Sequence, residues 1–142
     1  MRKILYSSTL FFAVTSCTPA HIIYPEYGKN VKTAKLVIVR PHSKNLRFVP
    51  SIFGFDGMDI AKLDNNAKKE INIPTGNHKF FVRSNQADRP LKYSRNINEN
   101  DKLCFMVKVN VQAIIDSQMM MGLFYFTNAF VMEEVKEELC KD

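Results

Sequence analysis

Apolar and polar positions alternate along much of this chain, with the period of two that marks half-buried β-strands. The longest example runs from Asp101 to Gln112. Leu103, Phe105, Val107, Val109 and Val111 fall on one face, and Lys102, Cys104, Met106, Lys108, Asn110 and Gln112 on the other. Leu36-Val37-Ile38-Val39 is a continuous β-branched run ended by Arg40-Pro41, the pattern of a central strand. Ser51–Phe55 meets the turn pair Asp56-Gly57, and Met58, Ile60 and Leu63 continue on the return strand, which predicts a hairpin. After a turn at Asp64-Asn65-Asn66, Lys69–Ile73 alternates until Pro74-Thr75-Gly76-Asn77 breaks it. His78, Phe80 and Val82 then share one strand face, with Lys79, Phe81 and Arg83 on the other.

Met119–Met132 is a second apolar run, read as core strand. Its 14 residues are too few for a membrane-spanning helix, which needs roughly 20. The tail Glu133–Leu139 suits a short helix with Val135 and Leu139 on one face. The elements add up to a mainly β fold, an antiparallel β-sandwich over residues 35–142 closed by a short C-terminal helix.

The first 17 residues, MRKILYSSTLFFAVTSC, break this pattern. Arg2 and Lys3 precede a short, mostly apolar core that ends in small residues, the anatomy of a secretory signal peptide. Val14-Thr15-Ser16-Cys17 resembles the bacterial lipobox. That resemblance implies cleavage between Ser16 and Cys17 and a diacylglycerol thioether on Cys17, whose thiolate is the nucleophile for alkylation. Thr18, in place of the Asp that commonly retains such proteins in the inner membrane, implies the periplasmic face of the outer membrane. Residues 1–16 are thus the expected signal peptide, and residues 17–34 a lipidated tether. Pro19, Pro25 and Gly28 keep the tether irregular, while Ile22, Ile23, Tyr24 and Tyr27 are apolar enough to dock in part.

Composition adjusts this picture without overturning it. At 142 residues, with 46% hydrophobic and 24% charged, the chain holds one folded domain and is not disordered. The net charge of +6 would point to an acidic partner, but two of the 20 basic residues lie in the removable leader. Nucleic acid is not expected outside the cytoplasm. Arg83, Arg89, Lys92 and Arg95 gather around Tyr93 in a stretch read as a loop. A solvated loop is the plain explanation; contact with anionic headgroups or envelope polymers is the functional one.

Cys104 and Cys140 are the mature cysteines besides Cys17. In an oxidising compartment they suffice for one bridge, and a tail packed on the less apolar face of the Cys104 strand would bring them together. Two free buried thiols are the alternative. His21, His42 and His78 have no ligand spacing around them, and His78 reads as a turn-flanking residue bonded locally. Asp56 and Asp59 fit turn chemistry better than an acid/base pair. No motif for metal, phosphate or nucleophilic chemistry occurs, so neither catalysis nor a cofactor is expected.

Three segments carry a further resemblance. They are Ala34–Pro41 with its terminal Arg-Pro, Phe53–Gly57 with its Asp-Gly, and Ile71–His78 with its Pro-x-Gly-x-His turn. Over residues 34–112 the chain resembles the small bacterial lipoprotein domains grouped as domain of unknown function 2846. It is also similar to PEGA-type surface domains, which share that turn. The resemblance implies a sandwich on a lipid anchor and no activity. The expected role is therefore a non-catalytic envelope lipoprotein that binds or scaffolds another envelope component. The alternative is a module for glycan, peptidoglycan or another anionic ligand, using residues 83–95.

Overall fold

The computed structural model describes residues 22–23, 25–84, 91–113, 115 and 129–140. Two four-stranded sheets are formed by β1 (Thr33–Arg40), β2 (Ser51–Phe55), β3 (Met58–Leu63), β4 (Ala67–Pro74), β5 (Gly76–Ser84), β6 (Leu91–Ile97), β7 (Lys102–Val109) and β8 (Phe130–Val135). One sheet has the order β4-β1-β7-β8 and the other β3-β2-β5-β6. The mainly β sandwich expected from the alternation is the fold observed. It is not wholly antiparallel, because β1 and β7 pair in parallel. Two inner strands separated by several intervening elements have no tight turn to set their direction.

The β2–β3 hairpin turns at Asp56 (φ 50°) and Gly57 (φ 83°), the left-handed pair that a tight two-residue hairpin requires. On the inner faces, Phe53, Phe80 and Phe105 form a triangle with ring centroids 5.1–6.0 Å apart, which joins the two sheets at their centre. Leu36, Ile38, Leu63, Ile73, Val82, Leu103 and Val107 fill the rest of the core. Alternation in β7 is as expected up to Val109, with Leu103, Phe105 and Val107 in the core and Cys104 on the outer face. The strand stops there, short of Gln112: Val111–Ala113 are helical and Val111 is exposed.

Two further expectations fail. Glu133, Glu134 and Val135 are not helical; they extend β8, and only Glu137–Cys140 forms a 3-10 turn. An acidic pair suits an edge strand here because cations lie across from it: Glu133 meets Lys108, and Glu134 meets Arg95. The basic stretch around Tyr93 is not a loop but strand β6, antiparallel to β5. The strand read from Met119 is observed only from Phe130 onward; residues 116–128 lie outside the described residues.

The chain ahead of β1 packs on the domain. The Ile23 amide donates to the Asp59 carbonyl on the free edge of β3 (2.9 Å), and the Tyr27 hydroxyl is buried. Pro25, Tyr27, Gly28 and Val31 line a cleft of about 320 Å³ with Thr33, Ile71 and Asn72. Part of the expected docking is therefore present: Tyr27 packs on the domain, while Ile23 is held by its backbone amide with its side chain exposed.

Candidate functional site

Strand geometry decides which of the candidate residues can act together. In β5, His78, Phe80 and Val82 face inward, so Lys79, Phe81 and Arg83 face outward. The register pairs Phe81 with Lys92 and Phe80 with Tyr93, and so assigns β6 residues to faces in the same way. Lys92 joins Arg83 on the outer face. Tyr93 and Arg95 point to the other side, toward β8.

On the outer face, Asp56, Gly57, Asp59, Lys79, Phe81, Arg83 and Lys92 line an open cleft of about 560 Å³. Its floor is Phe81, only 6% exposed although it lies outside the main core. Phe81 lies against Gly54 on the neighbouring strand β2; a Cβ there would collide with the Phe81 ring and the Met58 carbonyl oxygen. Arg83 is held by Asp59 through a two-point ion pair, and its Nη1 also donates to the Ser84 carbonyl. Lys79 and Lys92 are exposed and make no ion pair among the described residues.

Tyr93 and Arg95 form a separate cluster. The Tyr93 hydroxyl donates to Glu134 Oε2 at 2.9 Å, and Arg95 Nε lies 3.4 Å from the same oxygen. The hydrogen bond to Glu134 raises the Tyr93 pKa; burial and the Glu134 charge act in the same direction, and Arg95 opposes them. The Tyr93 ring stands edge-on to Phe105 at 5.7 Å. This cluster clasps the two sheets between β6 and β8. Arg89 and Cys17 lie outside the described residues.

His78 is bonded locally, as its turn position implied. Nε2 donates to the Pro74 carbonyl at 2.9 Å, and Nδ1 lies 2.7 Å from Asp56 Oδ2. Burial acts to raise the Asp56 carboxyl pKa. The Lys79 amide, the hydrogen bond to His78 and the charges of His78 and Lys79 outweigh it, leaving the carboxyl below its usual range. A depressed carboxyl stabilises the fold above its unfolded-state pKa, and that contribution is lost as pH falls through the folded value. Asp56→Asn should therefore flatten the acid limb of stability, between about pH 5 and pH 2, by under about 1 kcal/mol given the exposure of the carboxyl. Urea titrations across that range check it; an unchanged slope would refute the assignment to Asp56.

Asp59 does not serve the turn, contrary to the reading from its position; it is the partner of Arg83. His42 Nδ1 lies 3.3 Å from Asn65 Nδ2. Cys104 and Cys140 lie at disulfide distance, with Cα atoms 6.2 Å apart, where the 3-10 turn covers the outer face of β7. Among the described residues no group of three or more His, Cys, Asp or Glu side chains could hold a metal ion. Among them also, no helix is long and apolar enough to cross a membrane.

Two candidate roles went unread in the sequence: Lys79 in the cleft, and Arg40, buried at the end of β1. Lys79 was visible as an outward position of β5, but nothing marked Lys92 as its neighbour until β6 was known to be a strand.

Fold and site together define a two-sheet β-sandwich with a cationic cleft on one outer face. Neither the protein-family models nor the curated proteins compared with the chain match it.

Proposed function

We propose that this chain is a lipid-anchored envelope protein, acylated on Cys17, whose sandwich is a non-catalytic binding or scaffolding domain at the periplasmic face of the outer membrane. The leader and Val14-Thr15-Ser16-Cys17 carry the anchor, as in lipoproteins of the kind grouped as domain of unknown function 2846. The observation that best supports the compartment is the pairing of Cys104 with Cys140, since such a bridge persists where thiols are oxidised. Two or three acyl chains on one cysteine give durable attachment, at about 0.8 kcal/mol per buried methylene. Cys17→Ser should move the protein from the membrane fraction to the soluble fraction of the cell. A serine variant that still sediments with membranes, without acyl mass, would overturn the anchor.

A second reading is favoured by the outer cleft. Lys79, Arg83 and Lys92 beside Phe81 present cations around an apolar floor, a surface suited to a glycan bearing carboxylate or phosphate groups. Among the described residues, Lys92 is then the cation of the 83–95 ligand reading that makes no ion pair, since Arg83 is held by Asp59 and Tyr93 and Arg95 are engaged with Glu134; Arg89 lies outside the described residues.

A further inference from the structure

The two outer faces of the sandwich differ in charge. On the β4-β1-β7-β8 sheet, Lys35 pairs with Glu70, Lys102 with Glu137 and Lys108 with Glu133, and Lys68 lies close enough to Glu70 to act on its carboxyl. On the outer face of the β3-β2-β5-β6 sheet, Asp59 neutralises Arg83, and the Lys79 charge acts on the Asp56 carboxyl without an ion pair. Lys62, Lys79 and Lys92 are exposed there and make no ion pair among the described residues. The alternation of β2, β3, β5 and β6 puts these three lysines on one surface: Lys62 opposite Ile52, Lys92 opposite Phe81, and Lys79 two residues along β5 from Phe81.

The chain enters the domain on this same sheet. Ile23 is hydrogen-bonded to Asp59 of β3, on whose flank the cationic cleft opens. Four residues lie between Cys17 and Ile22, and the five steps from one to the other span at most about 18 Å when fully extended. An acyl group on Cys17 would therefore keep β3 within a short reach of the bilayer. Anionic headgroups act on cations within a Debye length, about 8–10 Å at physiological salt. A tether of this length lets the cationic face approach the headgroups within that range, and their attraction for the lysines would hold it there.

We infer that the outer face of the β3-β2-β5-β6 sheet is seated on the membrane surface, with Lys62, Lys79 and Lys92 against anionic lipid headgroups. The seating rests on the proposed Cys17 anchor and assigns the sandwich an orientation. The ion-paired face, with the Cys104–Cys140 pair and its three Lys–Glu pairs, is turned to the aqueous side and is the surface left for a protein or polymer partner.

The test uses the full acylated chain, purified from membranes and reconstituted into vesicles of phosphatidylcholine with or without phosphatidylglycerol. A membrane-impermeant amine reagent is applied and modification is mapped by mass spectrometry, with the acyl mass read in the same spectra. Phosphatidylglycerol should reduce labelling of Lys62, Lys79 and Lys92 by about five-fold, the effect of one headgroup contact per lysine. Lys35, Lys102 and Lys108 should label equally in both vesicles, and raised salt should restore labelling of the protected three. Equal labelling of the two faces on acylated protein would overturn the seating alone. Absence of the acyl mass would overturn the seating and the anchor together. Protection that is as strong in pure phosphatidylcholine would mean that the face is covered by a second copy of the chain, and would also overturn it.

Discussion

Replacing Arg40 with methionine is expected to cost about 3–5 kcal/mol of folding stability. Arg40 is 1% exposed at the end of β1. Its Nη1 donates to the carbonyls of Val49 (2.7 Å) and Leu63 (2.9 Å), and its Nη2 to that of Leu46 (2.9 Å). The guanidinium also lies over the Phe130 ring, 4.7 Å from its centroid. One side chain thus ties β1 to the connection after it, to the end of β3 and to the start of β8. Burial lowers the pKa of the group, against the attraction of Asp64, yet three carbonyls at one end of the core need a charged, multi-pronged donor.

Methionine fills a similar volume but removes all three donations. The Leu46 carbonyl keeps the Val49 amide and the Leu63 carbonyl the Ser51 hydroxyl, so the Val49 carbonyl bears most of the penalty, about 1–3 kcal/mol where water cannot reach it. The Leu46 carbonyl accepts from both Arg40 and the Val49 amide, and together these bonds hold the left-handed backbone of Leu46 (φ 51°). Arg40→Lys should recover less than half of the loss, since one ammonium cannot reproduce a planar fork. Urea titration measures both. A loss below about 1 kcal/mol for Arg40→Met would show that these bonds are replaced by water at little cost.

Loss of the Cys104–Cys140 pair should cost about 3–4 kcal/mol, the chain-entropy value for a bridge across 36 residues. The Cα separation of 6.2 Å is ordinary for a disulfide, and the two cysteines are 1% and 3% exposed. The bridge would fasten the 3-10 turn to the outer face of β7, where little else holds it: Leu139 is largely exposed, and Lys102–Glu137 is a surface ion pair at 3.7 Å. Cys140→Ser should lower the urea midpoint accordingly, and reductant should lower that of the parent protein but not of the variant. Alkylation in denaturant without reductant gives the direct reading. Two modified thiols at Cys104 and Cys140 would refute the bridge.

Where one face of a strand met the core, the sequence was readable. Leu103, Phe105 and Val107 alternate with Lys102, Cys104, Met106 and Lys108 because one side of β7 faces the core and the other is covered only at Cys104. Asp56-Gly57 marked its turn because few other pairs tolerate two positive φ angles. β6 hid because its inward positions include Tyr93 and Arg95. These polar tips reach Glu134 at the edge of the sandwich, so the alternation did not show as apolar against polar. The same cause hid the end of β8. Glu133 and Glu134 point to opposite faces, each toward a cation from another strand, and local sequence does not reveal such a partner.

The candidate site fared similarly. Arg83, Lys92, Tyr93 and Arg95 are close in sequence, yet strand pleating sorts them into a cleft and a clasp. Lys79 belongs with Arg83 and Lys92 only through the pairing of β5 with β6. Arg40 looked like the end of a strand; the demand for its guanidinium comes from Leu46, Val49 and Leu63, which the fold brings to it.

The claim on which the orientation, the compartment and the partner surface all depend is the acylation of Cys17. Intact-mass analysis of the protein extracted from cell membranes, with sequencing of its N-terminal peptide, tests it most directly. The account predicts a mature chain that begins at Cys17 and carries the added mass of a diacylglycerol thioether. A chain that retains Met1 through Ser16, or that begins elsewhere with an unmodified Cys17, would contradict it.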